Sequence, residues 1–156
     1  MQKTLVLGAG NTIRGDDGIG IFAARALREQ IGSFLDIKET QEAGLNLLDM
    51  IAGYDRVIVI DSVRTRRGKP GSIHRLTKDT FGTTSVIYSS HQMGLATIIK
   101  MADNLNMDIP SEIIIYAVEI EKGDSFGEIL TPEVRKAIPK AVDLIKKELH
   151  VSTNKA

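Results

Sequence analysis

The 156-residue chain contains no cysteine. Disulfides, thiolate metal sites, iron–sulfur ligation and a cysteine nucleophile are therefore excluded together. Neither sign of charge is in excess, because twenty basic residues balance twenty acidic ones. No net field draws in nucleic acid or an anionic membrane, and any partner must be recognised by local shape and chemistry. No stretch approaches the roughly 18–20 apolar residues needed to span a bilayer, and no basic leader precedes the first apolar strand. A cytoplasmic location is the expectation. No repeat, linker or low-complexity segment is present, and the 42% apolar content suffices for one core. The expected organisation is a single domain over residues 1–150, followed by a frayed polar tail over 151–156.

What is present alternates in period. Thr4-Leu5-Val6-Leu7 reads as a strand that ends at the turn sequence Gly8-Ala9-Gly10-Asn11. Ile19, Phe22, Ala23, Ala26 and Leu27 recur at helical spacing and predict a helix over about 17–31. A second strand over 35–39 precedes a helix over 45–51 that Gly53 closes. Arg56-Val57-Ile58-Val59-Ile60-Asp61 is the clearest strand, apolar on both faces as a central parallel strand would be. Short strands are expected over 73–76, at a sheet edge, and over 85–88, then a helix over 94–104. A last central strand spans 112–118, and a terminal helix runs over 131–149 with Thr131 as N-cap and Pro132 at its first position. This order predicts an α/β fold of three layers: a mostly parallel twisted sheet of about five strands with helices on both faces, phosphorylase/hydrolase-like.

In such a sheet the binding crevice lies beyond the carboxyl ends of the strands. Asp17, Asp61 and His91 all fall just past such ends. Two carboxylates and an imidazole form a mixed set suited to nickel or zinc, with coordination positions left open. Each residue alone has a plainer reading. Asp16 or Asp17 suits a helix N-cap, Asp61 a turn or cap, and His91 a hydrogen-bonded structural role. His74, inside a strand, and His150, in the tail, are assigned no role. A dinucleotide site is disfavoured at Gly8-Ala9-Gly10, since Ile13 stands where the third glycine belongs and two acids follow. No phosphate-binding Gly-Lys-Ser/Thr occurs, and Ser89-Ser90 lack the nucleophile-elbow context.

Gly8-Ala9-Gly10-Asn11 with Gly15-Asp16-Asp17-Gly18-Ile19-Gly20, the Val57–Asp61 strand and Ser89-Ser90-His91-Gln92-Met93-Gly94-Leu95 together resemble the hydrogenase maturation endopeptidases. The resemblance covers residues 3–149 and departs at Glu42-Ala43-Gly44, where a Gly-Gly-Thr type segment is usual. It implies an endopeptidase that removes the C-terminal extension of a nickel–iron hydrogenase large-subunit precursor after nickel insertion. Asp17, Asp61 and His91 would contact nickel carried by that substrate, and the same three would be catalytic. Either the metal activates water or a carbonyl, or Asp17 or Asp61 acts as general base. The precursor is the implied partner, with no nucleotide, nucleic acid or membrane; a monomer is expected. A non-catalytic metal- or nucleotide-binding module and a metal-dependent hydrolase of a small substrate stay open as alternatives. The basic segment Thr65–Pro70 and a glycine-containing, mobile stretch over 122–130 are candidate rims for the protein substrate.

Overall fold

A computed structural model describes residues 2–42, 45–65, 68–80, 98–121 and 126–153. Strands β1 (Thr4–Ala9), β2 (Asp36–Thr40), β3 (Arg56–Val63), β4 (Ile73–Thr77) and β5 (Glu112–Glu119) form one sheet of order β2–β1–β3–β5–β4. All neighbouring strands run parallel except β4, which pairs antiparallel to β5 at the edge. The helices are α1 (Ile19–Ile31), α2 (Leu45–Ile51), α3 (98–104 of the described residues), α4 (Pro132–Arg135) and α5 (Ala137–Thr153).

β3 is buried at every position. Its unbroken apolar run needs cover on both faces, and successive side chains divide between them. Val57 and Val59 join Leu5, Leu7, Ile113 and Ile115 beneath Leu47 and Ile51 of α2 and Ile98 and Ile99 of α3. Ile58 and Ile60 join Val6 and Ile114 beneath Ala23 and Leu27 of α1 and Val142 and Ile145 of α5. The edge strand β2 is only half covered. Glu39 on it bridges Arg25 and Arg28 of α1, each at 3.0 Å.

The chain leaves β1 through α1 to one side and returns through α2 to β3 on the other. The carboxyl ends of β1 and β3 therefore flank a topological switch point, where open α/β sheets bind ligands. Close packing holds α1 there. A Cβ on Gly20 would lie 2.2 Å from the Ile60 carbonyl oxygen and 2.3 Å from that of Ala9. Only glycine lets the first turn of α1 sit this near both strand ends.

Three boundaries differ from the periodicity. β3 continues past Asp61, because Asp61, Ser62 and Val63 pair with Ala117, Val118 and Glu119. The terminal helix divides at Lys136. Pro139 has no N–H to give the Arg135 carbonyl, so a continuous ladder cannot form across that point. α5 runs on through Thr153, beyond the expected start of fraying at Val151. The strand expected over 85–88 lies outside the described residues, as does the start of the helix expected over 94–104.

Candidate functional site

Between β1 and α1 the chain makes a tight excursion that ends in a 3-10 turn, Gly15–Gly18. Gly10, at φ 152°, turns the strand end so that a Cβ there would strike the Asp17 carbonyl oxygen at 2.2 Å. Its amide donates to the Thr40 carbonyl at 3.1 Å. The next amide, of Asn11, donates to Asp17 Oδ2 at 3.0 Å. The amides that would cradle a phosphate in a dinucleotide-binding loop are thus engaged internally.

Asp17 does not cap α1, whose N-cap position is Gly18, without a side-chain cap bond. Its second oxygen instead accepts the Ser62 hydroxyl at 3.1 Å. Ser62 also donates its amide to Asp61 Oδ1 at 2.8 Å. One serine of β3 therefore bonds both predicted carboxylates, that of Asp17, 45 residues away, through its hydroxyl and that of its neighbour Asp61 through its amide. Asp61 is neither a turn nor a cap residue: it lies within β3 and is 0% exposed, whereas Asp17 is half-buried. Burying a carboxylate completely is costly unless it has partners, so its position is a structural commitment. Its β5 partner is Ala117.

His91 lies outside the described residues. Among the described residues no group of three or more His, Cys, Asp or Glu side chains is arranged to hold a metal ion. What is described is the carboxylate half of the predicted set.

The neighbouring acid has a different task. Asp16 is 6% exposed and accepts both the amide and the hydroxyl of Thr131, each at 2.8 Å. Thr131 occupies the N-cap position of α4 with extended backbone, but its hydroxyl goes to this carboxylate and not to the helix. A carboxylate is the stronger acceptor, and the bond ties the site loop to the last helical layer. The same loop is laced to residues 126–130, through Gly15 N–H to the Gly127 carbonyl at 2.8 Å and Gly127 N–H to that of Ile13 at 2.7 Å. This part of the expected mobile rim is a hydrogen-bonded ribbon, with Phe126 and Ile129 exposed on it.

Sequence reasoning missed three participants. Ser62 was invisible as a link because its partner is distant in the chain. Glu119, at the end of β5, is 1% exposed and accepts Thr65 N–H at 2.7 Å and Thr65 Oγ–H at 2.6 Å. His74 Nε2 stands 3.1 Å from the same carboxylate. An acid closing an apolar strand was the signal that singled out Asp61, and it was equally present at Glu119. The basic segment after β3 is pinned there by Thr65, with Arg64 and Lys69 exposed.

The face of the sheet beneath α5 carries a separate network. Glu148 of α5 accepts Tyr116 Oη–H at 2.7 Å and Arg75 Nε–H at 2.8 Å, and buried Arg56 lies 3.5 Å from its other oxygen. Burial and the bond to Glu148 push the Tyr116 hydroxyl up to about 12. Burial pushes Glu148 upward, yet hydrogen bonds from Arg75 and Tyr116 and the nearby guanidinium charges together hold it below its ordinary value.

Fold and site define a doubly wound α/β protein whose first loop meets its central strand at the switch point through Asp17 and Ser62. The hydrogenase maturation protease family matches over residues 40–148, and the chain belongs to that family of peptidases. The hydrogenase 2 maturation protease of Escherichia coli is 28% identical over 155 residues, covering 97% of this chain and 93% of its own length. The hydrogenase expression/formation protein HupD of Thiocapsa roseopersicina is 28% identical over 148 residues; the match covers 91% of this chain and 65% of that protein. Among solved structures, the hydrogenase maturating endopeptidase HybD of Escherichia coli superposes with a TM-score of 0.79 at 27% identity, covering 96% of this chain and 93% of that one. The [NiFe] hydrogenase maturation protease HybD of Thermococcus kodakarensis gives 0.73 at 26%, covering 93% and 97%.

Proposed function

We propose that this chain is the endopeptidase that removes the C-terminal extension of a nickel–iron hydrogenase large-subunit precursor, acting in the cytoplasm once nickel is in place. Family membership supports the class of reaction. The observation that supports the site is the bond from the Ser62 hydroxyl to Asp17, which brings the first loop beside the residue that follows Asp61. The oxygens of Asp17 and Asp61 fit a divalent ion that keeps open positions, with His91 as the third donor that the resemblance implies. The nickel belongs to the substrate. When bound it supplies positive charge that can polarise a carbonyl or acidify water.

The chain's own residues do the rest. Asp17, the half-buried carboxylate, is oriented by Asn11 N–H and Ser62 Oγ–H and is the group able to take a proton from water. Asp61, fully buried, is oriented by Ser62 N–H and is the second carboxylate of the proposed site. Metal loading then becomes the signal for cleavage, a difference in affinity between two states of one substrate.

The test mixes the purified chain with nickel-loaded and nickel-free precursor and follows C-terminal truncation by mass spectrometry. Truncation of the loaded form alone is expected. Equal truncation of both overturns nickel gating, and truncation of neither overturns the peptidase reading. A generic peptide hydrolysed with added metal would instead identify a small-substrate hydrolase.

A further inference from the structure

The loop that carries Asp17 has an apolar rim. Gly127 makes a parallel bridge with Arg14, its N–H bonded to the Ile13 carbonyl and its own carbonyl to Gly15 N–H. Ile13 and Phe126 therefore stand abreast, one step before the bridge on each segment. Ile13 is 49% exposed, Phe126 93% and Ile129, two residues beyond the bridge, 78%. Single apolar side chains on a surface are ordinary, but three large ones on two segments bonded together form a patch.

Both segments are anchored to the site. Asn11 accepts Ile13 N–H through its side chain at 3.1 Å and donates its own N–H to Asp17. Ile129 is followed by Leu130, which is buried with Val134 and Ala137, and then by Thr131, which Asp16 holds by two bonds. The patch is preorganised, so an occupant meets little ordering cost on this side. The charges flanking it are one of each sign, Arg14 and Glu128, both exposed. They favour neither an acidic nor a basic occupant, and the patch selects apolar surface. Three such side chains expose roughly 300–400 Å², against about 800 Å² that each partner brings to a standard stable interface. That is too little to hold two copies of this chain together. It suits a stretch of substrate whose other contacts lie in the crevice.

We propose that Ile13, Phe126 and Ile129 hold an extended apolar segment of the precursor beside the bond that is cut. The inference rests on the peptidase reading above and names the part of the substrate that this rim reads. Ile13 and Asp17 belong to one loop, so a chain laid across Asp17 passes the patch. The patch touches no reacting atom. Its contacts are equally present in the ground state and the transition state, so it lowers KM and leaves kcat alone.

The experiment measures KM and kcat for truncation of nickel-loaded precursor by wild type, the double variant Phe126→Ala/Ile129→Ala, Phe126→Leu and Phe34→Ala. Phe34 is the control: it is 89% exposed and precedes β2, at the amino ends of the parallel strands and away from the crevice. Truncating such exposed side chains leaves stability nearly unchanged, which thermal unfolding checks. KM of the double variant should rise about 10-fold or more with kcat within about twofold, since burying even part of a Phe and an Ile is worth that factor. Phe126→Leu, which stays apolar, should fall between, and Phe34→Ala should match wild type. An unchanged KM in the double variant, an equal rise in Phe34→Ala, or a fall in kcat alone overturns the proposal and leaves the peptidase reading intact. Sedimentation tests the other occupant: a wild-type dimer that the double variant splits assigns the patch to a second copy and overturns the proposal too. A wild-type chain that leaves the loaded precursor whole overturns both.

Discussion

Ser62 shows how much one small side chain can organise. Its hydroxyl and its amide reach different carboxylates, the first 45 residues away and the second its immediate neighbour. Ser62→Ala should keep the Asp61 contact, which uses backbone, and release Asp17. We expect a stability loss of about 1 kcal/mol in denaturant unfolding, from one removed hydrogen bond. Precursor processing should slow more than that loss explains. Asp61→Asn should leave the fold measurable by circular dichroism and abolish processing, since it removes the second carboxylate of the proposed site. The tyrosines offer a spectroscopic check. Burial, followed by a bond to Asp36, pushes Tyr54 up to about 12, as burial and Glu148 do for Tyr116. Ultraviolet titration of the three tyrosines should show these two still protonated well above the ordinary value of 10.

At the scale of elements, α1 is the part whose position decides the site. Gly20→Ala would force its first turn away from the Ile60 and Ala9 carbonyls. A cost of about 1–3 kcal/mol is expected from overpacking, read in thermal unfolding. Processing should fall as well, because the same shift carries Asp17 away from Ser62. The α5 network acts on stability alone. Glu148 is held below its ordinary value of 4.5, so as pH falls the unfolded chain takes up this proton before the folded one. Its contribution is complete above 4.5 and is lost as pH drops through the lower, folded value. Glu148→Gln should therefore lower stability near neutrality and flatten the acid limb of the curve of unfolding free energy against pH. Glu39, lowered first by its hydrogen bond to Arg25, adds to the same limb.

The whole molecule carries no formal net charge, so long-range steering contributes little to encounter with a partner. Association with the precursor should change only weakly over a several-fold rise in ionic strength, as measured by surface-immobilised binding; a steep fall would assign the encounter to the basic segment after β3. Among the described residues no helix is long and apolar enough to cross a membrane. The site is assembled by the molecule as a unit. β1 and β3 supply the switch point, the turn before α1 carries Asp17, and Asp16 ties that loop through Thr131 to the final helices.

The order of elements was legible in the chain because period reports burial. The unbroken β-branched run of β3 could only be a doubly covered central strand, and the helical spacing of Ile19 to Leu27 is an amphipathic face. Acids placed just past strand ends pointed to Asp17 and Asp61, since α/β topology brings such ends together. Which of Asp16 and Asp17 ties the loop to the last helices and which meets β3 was not legible, because adjacent residues in one turn face different layers and only packing says which. His74 read as an ordinary strand residue, since antiparallel pairing of β4 with β5 is what sets it abreast of Asp61's partner. Periodicity is a property of neighbours along the chain; the meeting of Ser62 with Asp17, or of His74 with Glu119, is set by register and close approach between strands and helices that no local pattern encodes.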